Sequence, residues 1–243
     1  MRLAVCWPWT SPFMFTDGAQ SLLELDRPAG YETRFFRGKG WSPARRHVHC
    51  CEQALEWDAE LILILGSDQL YEPDLLQRLV ARIEQGYEIV AAMVPSRGYI
   101  SWQPMRPFQP AVYRFARSDN VVHARPYRGM QLDSDMIEIL EPKEDMERIN
   151  FCGSGVLLFQ RDHLLALKKP WFAESVDPET QNRFANMDST FVWRLQSEAH
   201  ATVWCDTTIK VRHLHIMEVD ETFQARFADM QQGTGQPAIV PAA

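Results

Sequence analysis

The feature that most constrains the fold is an uninterrupted apolar run, Leu61 to Leu65, followed directly by Gly66, Ser67 and Asp68. A short continuous apolar run that ends in turn residues is typical of a strand buried on both faces. The glycine and serine end the strand, which places the aspartate at its carboxyl end, where α/β sheets bind ligands. The run therefore predicts an α/β fold with Asp68 at the ligand-binding edge of the sheet.

The segments around this run alternate between strand and helix patterns. The patterns predict a strand from Arg2 to Cys6, a helix from Pro43 to about Trp57, a helix that Pro73 opens and Gly86 closes, and a strand from Ile89 to Val94. The residues expected to face inward are Ala44, Val48, Cys51 and Leu55 on the first helix and Leu75, Leu76, Leu79, Val80 and Ile83 on the second. This order predicts a mostly parallel sheet covered by helices.

The second half of the chain is less regular. Between Pro95 and about Asn150 the periodicity is lost, and a loop region of that length is usually functional or mobile. The elements predicted from there on are a strand-like piece at Ala111 to Phe115, a strand from Val156 to Phe159, a helix from Asp162 to Leu167, a helix from Asp188, and two strands, Ala201 to Cys205 and Thr208 to His213. The tail after Gln231 is predicted to be disordered.

Composition narrows the class of protein. A chain of 243 residues is long enough for one large domain, and a formal net charge of −7 disfavours non-specific binding of nucleic acid by the whole surface. The five cysteines contain no CxxC pair, which fits neither a disulfide framework nor a zinc knuckle. No apolar run is long enough to cross a bilayer, and Pro8 interrupts the first segment, so we expect a cytoplasmic protein with no transmembrane segment.

Asp68 has the position and the chemistry of a metal ligand. Its backbone follows a rigid strand, and Mg²⁺ or Mn²⁺ prefers oxygen ligands. These ions often bind through only one or two carboxylates, while water and substrate phosphates complete the shell. The alternative is that Asp68 only initiates the turn before Pro73.

Asp188 and His213 are the other titratable candidates. Asp188 lies where an amphipathic helix begins, so its carboxylate is expected either to cap that helix and also face a cleft or to cap the helix alone. His213 ends a predicted strand, and His215 would share its face because strand residues two apart point the same way. Histidines at a strand end either bind a metal or form ordinary surface hydrogen bonds.

One cluster has the composition of a zinc site but the wrong spacing. Its members are His47, His49, Cys50 and Cys51. All lie on a predicted helix, where residues two apart point to nearly opposite sides, which argues against zinc.

Three further features suit ligand binding, each with a structural alternative. Arg45 either pairs with a diphosphate or is a solvated helix arginine. The turn Gly153-Ser154-Gly155 either lets a ligand approach the backbone closely or is a plain tight turn. Arginines that suit phosphates and aromatics that suit sugars or bases alternate in the middle segment, unless this is a packed ribbon with a charged outer face. They are Arg97, Arg106, Arg114, Arg117, Arg125 and Arg128 with Tyr99, Trp102, Phe108, Tyr113, Phe115 and Tyr127.

Taken in order from Arg2 to about His215, these segments resemble the family 2 glycosyltransferases with the GT-A fold. The matching pieces are Gly40 to Arg46 before the first helix, Gly66-Ser67-Asp68 at the position of the family's DxD motif, Gly153 to Arg161 as its glycine-rich strand, and Met187 to Leu195 continuing to His213 as its base-bearing helix and terminal histidine. The order and spacing of the pieces carry the resemblance. It implies a single GT-A (Rossmann-like) domain with a mostly parallel central sheet flanked by helices.

The resemblance also implies a role for each candidate residue. Asp68 and His213 would bind Mn²⁺ or Mg²⁺, and Asp188 would be the catalytic base. The nucleotide-sugar donor, with a UDP-sugar favoured, would be bound by Cys6, Trp7, Arg45, Ser67 and Asp68, while Gly153, Ser154, Gly155 and Trp193 would lie on the acceptor side. Residues 1–94 would form the donor half and 95–230 the acceptor half of one domain, with 231–243 as the tail.

Two departures from the family pattern keep other functions open. Gly66 stands where the first Asp of DxD is expected, and Met187 stands where an acidic residue is common. The loss of the first acid favours, as an alternative, a non-catalytic nucleotide-sugar or glycan-binding module derived from a glycosyltransferase. A sugar-phosphate nucleotidylyltransferase is less favoured, since it should carry a glycine-rich, arginine-containing loop where this chain has Cys6-Trp7-Pro8-Trp9.

The predicted reaction moves the sugar to an acceptor hydroxyl with inversion, and Asp188 takes up the proton of that hydroxyl. The acceptor stays open between a saccharide, a lipid-linked molecule, a protein and a modified DNA base.

Overall fold

Strands and helices alternate around one large sheet in the computed structural model, which describes residues 1–8, 15–95, 111–115, 137–176 and 183–214. The helices are α1 (Thr16–Leu23), α2 (Pro43–Glu56), α3 (Leu75–Glu84), α4 (Arg161–Leu165) and α5 (Met187–Ser197). The strands are β1 (Arg2–Trp7), β2 (Glu32–Arg37), β3 (Leu61–Leu65), β4 (Gln69–Leu70), β5 (Ile89–Met93), β6 (Val112–Phe115), β7 (Ile137–Ile139), β8 (Met146–Ile149), β9 (Phe151–Cys152), β10 (Val156–Gln160), β11 (Ser175–Val176), β12 (Arg183–Ala185), β13 (Val203–Lys210) and β14 (Arg212–His213).

The central sheet has seven strands in the order β2-β1-β3-β10-β5-β13-β8. β1 runs parallel to β2 and β3, and β13 runs parallel to β5. β10 is antiparallel to both β3 and β5, and β8 is antiparallel to β13. All strands except β10 and β8 therefore run in one direction, which confirms the predicted mostly parallel sheet. The architecture is consistent with a single GT-A-like domain.

Two apolar layers form because alternate residues of the buried strands face opposite sides of the sheet. Cys6 and Ile64 belong to the layer covered by α2, α4 and α5. Val5 and Leu63 belong to the opposite layer, which α1 and α3 cover. Every residue of β3 is buried, as its uninterrupted apolar run predicts.

Both helices predicted in the first half are present. α2 begins at Pro43, and the Ser42 hydroxyl caps it by accepting a hydrogen bond from the backbone N–H of Arg45 at 3.2 Å. α3 ends at Glu84, and Gly86 follows the C-cap residue Gln85 with a φ of 98°, in the left-handed region that glycine adopts without steric cost. All the residues predicted to face inward on α3 are buried, namely Leu75, Leu76, Leu79, Val80 and Ile83.

The two strands predicted between Ala201 and His213 are divided at a different place, into the long β13 and the two-residue β14. β13 is continuous from Val203 to Lys210, with a register shift after Asp206 against β5. Asp206 is fully buried, accepts a hydrogen bond from the Thr208 backbone at 3.0 Å and pairs with Arg82 at 2.7 Å. Burial alone would raise the pKa of Asp206, but the hydrogen bonds from Thr208 and Arg82 hold the pKa below its usual value. The irregularity is thus a stabilised bulge rather than a break between two strands.

The sequence patterns do not predict α1, β2 or β8. β2 and β8 are the two edge strands of the sheet, and edge strands carry fewer apolar residues. In β8 only Met146 and Ile149 are buried, too few to produce a periodic signal.

Several predicted features lie outside the described residues. They are Trp9, His215, the tail after Gln231 and all of the arginine and aromatic segment except Tyr113, Arg114 and Phe115. Across the described ranges, no helix combines the length and apolar character needed to cross a bilayer.

Candidate functional site

The site is built where β3 ends and β10 begins. Because these neighbouring strands are antiparallel, the end of one and the start of the other lie at the same edge of the sheet. The backbone N–H of Gly66 donates to the carbonyl of Gly155 at 2.7 Å. The turn that carries Asp68 is therefore attached to the turn that carries Ser154, although the two are far apart in the chain.

Asp68 and His213 meet through the pairing of two very short strands. β4, which follows Asp68, pairs antiparallel with β14, and Gln69 lies opposite His213. The backbone N–H of Leu214 also donates to the Asp68 carbonyl at 2.7 Å. As a result Nε2 of His213 lies 3.3 Å from Oδ1 of Asp68, and the side chains are only 15% and 22% exposed.

The hydrogen bonding of His213 determines which ring nitrogen carries the hydrogen. Nδ1 lies 2.8 Å from the Pro95 carbonyl, and a carbonyl can only accept, so Nδ1 is the protonated nitrogen. In the neutral ring Nε2 then directs a lone pair towards Asp68. Nε2 is buried and forms no hydrogen bond with any described residue, so its 3.3 Å approach to the carboxylate is a close contact without hydrogen-bond geometry. Two acceptors held this close are unfavourable unless a proton or a cation lies between them.

A divalent cation fits this pair of residues. Histidines that bind metals usually donate their other ring N–H to a carbonyl or carboxylate, as His213 does to Pro95. Carboxylate oxygens suit Mg²⁺ and Mn²⁺, imidazole suits other first-row divalent ions, and Mg²⁺ or Mn²⁺ needs few protein ligands when a bound substrate brings phosphates. Within the described part of the chain no group of three or more His, Cys, Asp or Glu residues could hold a metal. As far as the described residues are concerned, a cation at Asp68 and His213 would take the rest of its shell from water and substrate.

Asp188 lies in the first turn of α5 and faces Ser154. The cap of this helix is Asn186, whose side chain accepts from the Ser189 backbone at 2.8 Å. The expectation that Asp188 caps the helix is therefore wrong. Its Oδ1 instead accepts a hydrogen bond from the Ser154 hydroxyl at 2.7 Å, which directs the carboxylate to the edge of the sheet shared with Asp68.

A buried histidine that the sequence reading set aside completes this arrangement. His47 on α2 is only 5% exposed, and its Nε2 lies 3.1 Å from the Ser154 hydroxyl. From the sequence, His47 was considered only as a zinc ligand, because the buried face of the helix was predicted from apolar residues alone. The available signal was its spacing of four from Cys51, which puts both on one buried face.

The predicted donor residues are not all exposed to a ligand. Cys6 is fully buried against Cys50 and Cys51, and burial raises the pKa of its thiol well above the usual value, so any nucleotide contact would come from its backbone. Trp7 ends β1 beside β3, at the same edge as Asp68. Ser67 lies in the turn between β3 and Asp68 and is partly exposed.

Arg45 is exposed at the start of α2 and lines a cavity of about 350 Å³. The other lining residues are Ala44, Val48, Glu52, Lys169, Pro170 and Phe172. Lys169 pairs with Glu52 at 2.8 Å, so this cavity carries both charges. A role for Arg45 in donor binding stays a prediction.

The predicted acceptor-side residues also divide into two groups. Gly153 and Ser154 lie at the shared edge before β10. Trp193 is only 6% exposed and stacks on Phe151 with ring centroids 5.9 Å apart, so its ring packs in the interior. A role for Trp193 in acceptor binding stays a prediction.

The structure supplies a physical reason for glycine at position 66. The side chain of Gln69 is buried between Gly66 and Gly155, and a Cβ atom on Gly66 would lie 2.6 Å from its Nε2. A Cβ on Gly155 would collide with the same amide. Gly66 does not have a positive φ, so space rather than backbone conformation requires glycine here.

This packing predicts coupled effects of substitution. We expect Gly66→Ala to destabilise the protein by about 1–3 kcal/mol, the usual range for overpacking. In a Gln69→Ala background the same change should cost at least about 1 kcal/mol less, because the clash is removed. Urea unfolding of the single and double variants measures this coupling. Gly153→Ala is the matched control, since a Cβ there meets no atom within 4 Å. If the effects of Gly66→Ala and Gln69→Ala on stability were additive, the proposed clash would be contradicted.

Comparisons with known proteins support the fold and no more. A scan against models of protein families finds no match, and a search of curated proteins finds none either. The chain is similar in structure to A197 from STIV, with 17% identity, a TM-score of 0.51, and coverage of 89% of this chain and 87% of that chain. It is also similar to S. aureus TarS 1–349 in complex with UDP-GlcNAc, with 10% identity, a TM-score of 0.44, and coverage of 91% of this chain and 60% of that chain. The first likeness shows the fold alone, and the second is too distant to carry an inference.

Proposed function

We propose that this chain is a metal-dependent glycosyltransferase that moves a sugar from a nucleotide-sugar donor, with a UDP-sugar favoured, to an acceptor hydroxyl with inversion. The observation that carries the proposal is the Asp68–His213 pair, whose facing acceptor atoms suit a cation, at the same sheet edge as the carboxylate of Asp188. The order of these residues in the sequence is the one implied by the resemblance to family 2 glycosyltransferases. The acceptor class stays open between saccharide, lipid-linked, protein and modified DNA base.

The proposed mechanism assigns one task to each residue. Asp68 and His213 would hold Mn²⁺ or Mg²⁺, which when bound neutralises the negative charge that grows on a departing diphosphate. Asp188 takes the proton from the acceptor hydroxyl while its oxygen forms the new bond to the anomeric carbon. The bond between that carbon and the diphosphate oxygen breaks at the same time, and the nucleoside diphosphate leaves. Direct displacement on one face inverts the anomeric configuration.

A non-catalytic sugar-nucleotide-binding module is the second candidate. Its specific support is Gly66, where an acidic residue of DxD is absent and the buried Gln69 amide fills the space. Such a module would bind a nucleotide sugar without cleaving it.

Calorimetric titration separates the two candidates. The ligands are UDP-glucose, UDP-galactose and UDP-N-acetylglucosamine, each with Mn²⁺ and with a chelator, and UDP release is followed afterwards. We expect one sugar nucleotide to bind only with metal and to be hydrolysed slowly, with water as the acceptor. If a UDP-sugar binds but no UDP is released with water or with any acceptor class tried, the binding module is favoured. Equal binding of the UDP-sugar with Mn²⁺ and with chelator would contradict the metal role.

A further inference from the structure

A buried chain of hydrogen bonds extends from Asp188 into the protein. The Ser154 hydroxyl lies 2.7 Å from Oδ1 of Asp188 and 3.1 Å from Nε2 of His47, while Nδ1 of His47 lies 2.8 Å from the Pro43 carbonyl. Ser154 and His47 are 6% and 5% exposed. The mechanism above uses Asp188 but gives no task to the two buried groups behind it.

These side chains have one hydrogen fewer than they need to form a hydrogen bond at every contact between Asp188, Ser154, His47 and the Pro43 carbonyl. The Pro43 carbonyl can only accept, so Nδ1 of His47 carries the ring hydrogen and Nε2 of the neutral ring is an acceptor. An ionised Asp188 is also an acceptor. Ser154 has a single hydrogen, so it can satisfy Asp188 or His47 but not both, and the remaining contact places two lone pairs opposite each other.

One added proton satisfies every contact. If Asp188 carries that proton, the Ser154 hydroxyl is free to turn from Asp188 and donate to Nε2 of His47. Proton uptake by Asp188 is also the step that a general base performs during transfer. Every contact in this series is therefore a hydrogen bond once Asp188 has taken the proton from the hydroxyl of the acceptor substrate.

We infer that His47 is a positioning residue that acts through the Ser154 hydroxyl, which donates to Asp188 while Asp188 is ionised and to His47 once Asp188 carries the proton. This inference rests on the proposed function, because it gives Asp188 the role of base. No proton leaves the chain of residues in this exchange: the acceptor's proton stays on Asp188, and only the hydroxyl of Ser154 changes its direction.

The surroundings of His47 favour its neutral, accepting form. Burial lowers the pKa of His47, while the charge of Asp188 and the hydrogen bond to the Pro43 carbonyl partly oppose this and Arg46 adds to the lowering. The ring packs against Phe172 with centroids 4.8 Å apart, which holds its orientation towards Ser154. Among the described residues, Cys152 is a further titratable group near Asp188; burial raises the pKa of its thiol to about 12, so the thiol stays uncharged.

The inference predicts opposite shifts in the pH dependence of donor hydrolysis. His47→Phe removes the acceptor that favours protonated Asp188, so the acid limb of the pH–rate profile should move to lower pH and the plateau rate should fall about tenfold. Ser154→Ala removes the donor to ionised Asp188, so the acid limb should move to higher pH. His47→Gln keeps an acceptor and should restore part of the loss. A purely structural role of His47 would lower the rate in both variants without moving the limbs in opposite directions.

Histidine NMR tests the same chain without an activity assay. In protein with ¹⁵N-labelled histidine, the His47 signals are assigned by their loss in His47→Gln, and the ring should be the Nδ1–H tautomer at neutral pH. Asp188→Asn removes a nearby negative charge and Ser154→Ala removes the partner of Nε2, so both should lower the midpoint of His47 titration. His49→Gln, on the same helix but bonded to Lys39 and Gln53, is the control and should leave the His47 signals unchanged.

The outcomes distinguish this inference from the proposed function. If the midpoint and tautomer of His47 are the same in wild type, Asp188→Asn and Ser154→Ala, the coupling is absent and the inference is overturned, whatever the activity. If the coupling is present but the wild type never releases UDP from a UDP-sugar, the hydrogen-bond chain stands and the glycosyltransferase proposal fails.

Discussion

Replacing Asp68 by alanine should remove Mn²⁺-dependent binding of a UDP-sugar while the protein stays folded. We expect metal-dependent turnover to fall by about 100-fold or more, the usual effect of losing a group that stabilises developing charge. His213→Ala should have a similar effect, because its Nε2 is the other acceptor atom that faces the proposed ion. The fold should survive Asp68→Ala, because the hydrogen bond from Leu214 is made to the Asp68 backbone, which alanine retains.

Thermal unfolding gives the sharpest form of this experiment. A ligand that binds only the folded state raises the midpoint of unfolding, so Mn²⁺ with UDP should stabilise the wild type and not the two variants. Without metal, Asp68→Ala should cause no large loss of stability, since it removes a carboxylate held 3.3 Å from a second acceptor. Asp74→Ala is the matched control, because Asp74 is an exposed acid with no side-chain bond to the helix that follows it. An equal Mn²⁺-induced shift in Asp68→Ala and wild type would rule out the metal site.

The position of Asp68 could be predicted from sequence because it depends on local pattern. A short, fully apolar run ended by glycine and serine is typical of a buried strand, and β3 is such a strand. The closeness of His213 could not be predicted in the same way. It depends on β4 and β14, two-residue strands that carry no periodic signal and that pair across most of the chain.

His47 illustrates a second limit of sequence patterns. The buried face of this helix was predicted from its apolar members alone, so His47 was considered only as a possible zinc ligand. In the structure His47 is buried with the Pro43 carbonyl accepting from its Nδ1 and with the Ser154 hydroxyl 3.1 Å from its Nε2, and Ser154 comes from a turn more than a hundred residues away. Buried polar residues depend on partners, and the partners are set by tertiary packing that no local pattern contains.

Asp188→Asn should lower turnover by about 100- to 10,000-fold, which is the range that general-base catalysis contributes. Donor binding should be retained. Asparagine has the same shape and keeps an oxygen that can accept the hydrogen bond from Ser154, so the site should hold its geometry. What is lost is the ability to take a proton. Single-turnover measurement of donor consumption, with calorimetry for donor affinity, separates the chemical step from binding.

The nucleophile offers a direct test of why the rate falls. Azide is already an anion and needs no proton removed, so transfer to azide should be nearly as fast in Asp188→Asn as in wild type, while transfer to water or an acceptor hydroxyl is lost. Asp162→Asn, at an exposed acid of α4, is the control and should behave as wild type with both nucleophiles. Wild-type turnover of Asp188→Asn with hydroxyl acceptors would exclude the base role. An equal loss with azide and with water would instead mean that Asp188 acts on the donor, through its charge or its contacts, because only proton removal distinguishes the two nucleophiles.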